Sequence, residues 1–152
     1  MKRVIFSILL SLGVGLSLGT SSSVQAQSKT SVVHPAWTKN ATIYEANIRQ
    51  HSKEGSFKKF EAYLPELKKI GVKVIWIMPI NPLGEKNRKG SLGSYYAVRD
   101  YRGVNPEFGT PEDFKSLVKA IHAQGMYVII DWVANHTAWD HPWTSQPPGF
   151  SE

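Results

Sequence analysis

The stretch Met126-Tyr127-Val128-Ile129-Ile130-Asp131-Trp132-Val133-Ala134-Asn135-His136 decides how this chain folds. An apolar run rich in β-branched side chains ends in an acid, and Asn135 and His136 follow a few residues later. That pattern predicts a buried parallel strand delivering polar side chains to a site at its C-terminal end. Working back from it, Gly125 closes a helix whose start is marked by Thr110-Pro111-Glu112-Asp113. A Thr N-cap, Pro at the first helical position and acids in the first turn all favour the positive end of the helix dipole. Phe114, Leu117, Val118 and Ile121 supply its apolar stripe.

Further upstream, residues 72–78 (Val-Lys-Val-Ile-Trp-Ile-Met) read as a second strand, apolar enough after Lys73 to be covered on both faces. Phe57, Phe60, Leu64, Leu67 and Ile70 are spaced for a helix before it, with Ser56 as N-cap and Gly71 just past its end. Pro65 either kinks that helix or opens its main segment. Residues 41–47 (Ala-Thr-Ile-Tyr-Glu-Ala-Asn) read as the first strand, and residues 48–55 as a polar loop. The long connection at residues 85–109 is rich in Gly, Lys and Tyr, and a connection of that length inside a domain is usually functional or disordered. Its aromatics and Arg99-Asp100-Tyr101 favour an ordered, functional loop.

The order is therefore β-α-β-α-β with parallel strands. Two folds begin this way: a doubly wound sheet and a (β/α)8 TIM barrel of about 250 residues. No Gly-x-Gly-x-x-Gly follows the first strand, which removes the dinucleotide-binding form of the former. The long loop after strand two and the polar cluster after strand three favour the barrel, in which such loops build the site.

Composition narrows the function classes. The 152 residues carry a formal charge of +6 and are 41% hydrophobic, which suits one soluble domain with a real core. No long basic block interleaves with aromatics, so nucleic acid is not expected as a partner. With no cysteines, packing rather than disulfides holds the core. Residues 1–26 read as a signal peptide: Lys2 and Arg3, an apolar run over residues 4–18, then Val24-Gln25-Ala26 for cleavage. The run is short for a membrane span. The expectation is an exported protein, periplasmic or extracellular, free of the membrane after cleavage. Residues 27–40 form a polar lead-in, and the fold begins at residue 41.

Asp131, Asn135 and His136 are the central constellation. They either form a substrate or metal site at the strand end or satisfy local backbone groups there. His136 and His141 lack a third ligand in a zinc pattern. Calcium, through the side-chain carbonyl of Asn135, is chemically reasonable but needs several further oxygens. Tyr95, Tyr96, Trp76 and Trp132 are the nearby aromatics, any of which could stack on a sugar face or simply pack. Glu45 and Asp100 are the other acids within reach in this reading, and Lys86, Arg88 and Lys89 make a basic cluster on the loop.

With these residues in view, the chain resembles the α-amylase family of glycoside hydrolases. Asp131-Trp132-Val133-Ala134-Asn135-His136 is similar to that family's first signature region, with Trp132 where valine is commoner. Tyr96-Ala97-Val98-Arg99-Asp100-Tyr101 resembles its Tyr-x-x-x-Asp-Tyr loop. Asn105 to Phe114 resembles its entry into the second helix, and Gly71 to Ile77 its second strand.

The resemblance implies the first β-α-β-α-β portion of a (β/α)8 barrel acting on α-glucosidic bonds of starch-type glucans with retention. Such chemistry uses two carboxyl groups about 5 Å apart. By position, Tyr96 and His136 would contact the sugar, Asp131 would organise the floor of the site, and Asn135 would match a calcium ligand of many members. The family's nucleophile, acid/base and third carboxylate follow later strands, so neither Asp131 nor Asp100 is their counterpart. The expectation is an N-terminal part of an enzyme, inactive by itself. A transglycosylase of the family and a non-catalytic carbohydrate-binding relative are the alternatives.

Overall fold

The computed structural model describes residues 32–145, and the fold lies within residues 34–145. The expected signal peptide, and the loop at residues 146–149, fall outside the described residues. Three strands form one parallel sheet in the order β1 (Thr42–Ala46), β2 (Val72–Ile77), β3 (Tyr127–Ile130). Register runs in rows across it: Ile43 beside Val74 and Tyr127, and Glu45 beside Trp76 and Ile129. The β-α-β-α-β order expected from the sequence is the order observed.

Helices cover one face of the sheet. They are α1 (Ile48–His51), α2 (Phe57–Glu61), α3 (Leu64–Lys69) and α4 (Pro111–Ala123). Phe57, Phe60, Leu64 and Leu67 are fully buried against Ala46, Ile75 and Ile77, with Leu117 and Ile121 closing the cluster from α4. Each such side chain contributes about 1.5–3 kcal/mol by leaving water. Two caps stop the helices from fraying where they meet this core. Ser56 accepts from the Lys59 N–H, and Thr110 and Asp113 form a reciprocal capping box.

Four expectations need correction. Residues 48–51 are a short helix rather than loop, because the Asn47 side chain accepts the Gln50 N–H and caps it. The helix over residues 57–70 is two helices, with Pro65 in the first turn of the second. That break turns Ile70 out of the stripe, and it is 68% exposed. The second strand is not covered on both faces, and β3, expected to be buried, is exposed at Tyr127, Ile129 and Ile130 because no further strand or helix packs on its open side among the described residues. Val74 is buried, but Trp76 is 38% exposed, and Ile43, Tyr127 and Ile129 of the same face are open too. Trp37 stacks on Tyr127 at 3.9 Å and covers part of that face.

The connection between β2 and α4 is ordered, as expected. Leu83 and Val98 form an antiparallel bridge, extended by Gly84 N–H to Ala97 carbonyl at 2.9 Å and Arg99 N–H to Pro82 carbonyl at 2.8 Å. Ala138, after β3, adds its N–H to the Val98 carbonyl at 2.8 Å. The two loops beyond the strand ends are thus joined backbone to backbone.

Candidate functional site

Asp131 follows β3 directly, and its N–H still pairs with the Ile77 carbonyl at 2.9 Å, so the sheet itself fixes its position. The Tyr96 hydroxyl, from the loop after β2, donates to Asp131 Oδ2 at 3.0 Å. Two residues that the sequence reading singled out separately therefore meet. That hydrogen bond holds the Tyr96 phenol above its usual pKa, helped by burial and by the negative charges of Asp131 and Glu45. Of the two further acids, Glu45 stands on the open face of the sheet beside Trp76. Asp100 instead accepts the Arg102 N–H at 2.8 Å and shapes its own turn.

Past Asp131 the chain turns back on itself. The Tyr101 hydroxyl lies 2.7 Å from the carbonyl oxygens of both Val133 and His136 and closes the turn. Burial raises the Tyr101 pKa, so it stays a donor. This turn presents Asn135 and His136 outward, both exposed. The Asn135 amide nitrogen faces His136 Nδ1 at 3.1 Å. When the amide donates there, the proton of the neutral imidazole sits on Nε2, ready to donate to a hydroxyl.

The aromatics divide. Trp132 is 66% exposed and packs edge-on to Tyr101 at 6.0 Å. With Tyr101, Trp143, Asn135 and His136 it lines a cavity of about 300 Å³. Tyr95 does not face that cavity. It donates to Asn47 Oδ1 at 2.9 Å, and the Arg49 guanidinium lies 4.4 Å above its ring. Trp76 sits on the open face of the sheet, beside Glu45 in register.

Sequence reasoning missed the residues that clamp the loops. Asp140 Oδ2 accepts the N–H groups of Glu85 at 2.9 Å and Lys86 at 3.3 Å, and these backbone bonds lower its pKa despite burial. His141 is buried, its Nδ1 accepting the Trp143 N–H at 3.1 Å. Arg49 pairs with Glu107 at 3.1 Å. Asp140 and Glu85 lie 55 positions apart, and no local pattern announces such a contact.

Calcium binds through six to eight oxygens, about 2.3–2.6 Å from the ion. Asn135 can offer one carbonyl oxygen, and the nearby carbonyls of Val133 and His136 both face the Tyr101 hydroxyl. No group of three or more His, Cys, Asp or Glu among the described residues could hold a metal. The described residues do not complete a calcium site.

At the strand ends of this parallel sheet stand a Tyr–Asp pair, an exposed His136 and exposed aromatics. The alpha-amylase catalytic-domain family model matches residues 34–147. The chain belongs to the α-amylase family. A trehalose synthase of Thermus thermophilus is 37% identical over 116 residues, which is 72% of this chain and 11% of that protein. The crystal structure of an α-amylase from Lactobacillus plantarum superposes with TM-score 0.70 at 47% identity, covering 72% of this chain and 26% of that one. The α-amylase of Geobacillus thermoleovorans, solved with acarbose, gives TM-score 0.61 at 32% identity, covering 75% of this chain and 27% of that one. Against the curated relatives the chain spans 11 to 19% of their length.

Proposed function

We propose that this chain forms one side of the sugar site of an exported α-amylase-like glycoside hydrolase. The enzyme would act on α-glucosidic bonds of starch-type glucans within a (β/α)8 barrel. The observation that carries the reading is the Tyr96–Asp131 hydrogen bond of 3.0 Å, in a chain of this family. Asp131 orients Tyr96, the Tyr101-closed turn presents His136, and together the two rings grip the sugar at the bond to be cleaved. His136 donates from Nε2 to a sugar hydroxyl, and the Tyr96 ring stacks on an apolar sugar face. The acarbose complex of a relative supports a carbohydrate ligand.

Retention requires two carboxyl groups about 5 Å apart, one attacking the anomeric carbon and one protonating the leaving oxygen. Asp131 and Asp140 each have an oxygen engaged by Tyr96 or by backbone N–H groups, and Asp100 serves its own turn. Their roles are to position. No hydrolysis is expected from the 152-residue chain by itself, and measurable starch hydrolysis by it would refute that expectation. In the protein that carries this segment, His136→Ala should lower kcat/KM on starch by at least a hundredfold. An unchanged value would remove His136 from the site.

A second reading, transglycosylation, draws on the trehalose synthase relative. Product analysis on maltose separates them: glucose alone indicates hydrolysis, a rearranged disaccharide indicates transfer. Export is proposed from residues 1–26, and N-terminal sequencing of the mature protein should begin at Gln27. Calcium is proposed only on the free carbonyl oxygen of Asn135. Calorimetric titration with Ca²⁺, wild type against Asn135→Ala, tests it, and equal heats would dismiss it.

A further inference from the structure

The basic cluster on the loop after β2 is exposed and lies beside the site. Lys86, Arg88, Lys89 and Ser94 line a cavity of about 250 Å³ together with His136 and Trp139. Arg88 is held in place: its Nε donates to the Gly84 carbonyl at 2.8 Å. Its stem crosses Gly93, where an added Cβ would stand 3.1 Å from the Arg88 Cδ and where φ is +70°. Anchored through Nε, the planar fork of Nη1 and Nη2 remains free to bind a second group.

The positive charge is cancelled only in part locally, because Asp140 stays ionised beside the Lys86 N–H. Among the described residues, none of the three cations has a carboxylate within ion-pair distance. The two neighbouring acids are engaged elsewhere, Glu85 with Arg99 at 2.7 Å and Asp140 with backbone N–H groups. A neutral glucan has no group that would use three cations and a fixed guanidinium fork. A phosphate monoester does, because its oxygens match that fork and its charge approaches −2 at neutral pH. Trp139, exposed on the same cavity, offers a ring to the attached sugar.

We propose that this cavity binds the phosphate of a phosphorylated sugar whose ring extends toward His136. The sugar half of this assignment rests on the function proposed above. Calorimetric titration of the folded protein with glucose 6-phosphate, glucose, inorganic phosphate and maltotriose tests it. Glucose 6-phosphate should bind at least tenfold more tightly than glucose or inorganic phosphate. Arg88→Gln should weaken it about tenfold, as expected for a charge-assisted hydrogen bond. Lys89→Gln, on an exposed side chain that cannot disturb the core, should weaken it a few-fold and flatten its salt dependence.

Equal affinity for glucose and glucose 6-phosphate overturns the proposal, as does unchanged affinity in both variants. Inorganic phosphate binding as tightly as the sugar phosphate overturns it as well. Binding of maltotriose without glucose 6-phosphate rejects this inference and keeps the glucan reading. Binding of glucose 6-phosphate without maltotriose does the reverse, and binding of neither rejects both.

Discussion

The Tyr101 hydroxyl stands 2.7 Å from the carbonyl oxygen of Val133 and 2.7 Å from that of His136, so one phenol closes the turn that carries Asn135. Tyr101→Phe keeps the ring and its stacking on Trp143 but leaves two carbonyls without this donor. A loss of about 1 kcal/mol in stability is expected by chemical denaturation, from one hydrogen bond. Sugar affinity should fall more than stability does, since His136 loses its fixed direction. A variant with wild-type maltotriose affinity would contradict the positioning role.

Tyr96→Phe removes the contact with Asp131 and should weaken sugar binding about tenfold, read by calorimetry. The pH dependence has a definite sign. The folded-state pKa of Tyr96 is raised, so its contribution to stability is fully present below the ordinary phenol value of 10.0 and is lost as pH rises through the folded value. Thermal melts of wild type should lose stability above that pH more steeply than those of Tyr96→Phe.

Gly84 tests the joint between the two loops. A Cβ there would clash with the Ala138 Cβ and stand 2.6 Å from Asp140 Oδ1. Gly84→Ala should therefore destabilise by about 1–3 kcal/mol, the usual range for overpacking. Adding Ala138→Gly removes the nearer clash and should recover part of the loss in a denaturant titration. Additive effects of the two changes would show that the loops do not touch there.

Thr110→Ala opens the capping box at the start of α4 and should cost about 1 kcal/mol by chemical denaturation. Asp113 contributes in the opposite pH range from Tyr96. Hydrogen bonding to the Thr110 N–H lowers its pKa, so its contribution is present above the ordinary value of 3.8 and is lost as pH falls through the folded value. Below that range, wild type and Asp113→Asn should converge in melting temperature.

The parts of the fold legible in the sequence are those written in local chemistry. The apolar run before Asp131, the Thr110–Asp113 start signal and Gly71 with φ +87° each depend on near neighbours. The helix capped by Asn47 is too short for any periodicity to appear, and the position of Pro65 divides a stripe that spacing alone reads as continuous. At the site, Asp131 and His136 stood out from the strand-end pattern and Tyr96 from the loop aromatics, their roles came from the resemblance, and the structure brings Tyr96 and Asp131 into contact. Asp140, Tyr101 and Arg49 act on residues 32 to 58 positions away. Such contacts exist only once the sheet has set the distances.

The joint at Gly84, Ala138 and Asp140 has one further consequence. The contacts between the two loops that orient His136 lie within one run of the polypeptide, Asn81 to Thr144, and Asn47 and Arg49 brace that run from outside through the Tyr95 hydroxyl and the Gly93 carbonyl. Grafted onto the matching strand ends of another parallel α/β scaffold, this run should keep its shape only where residues equivalent to Asn47 and Arg49 are carried along.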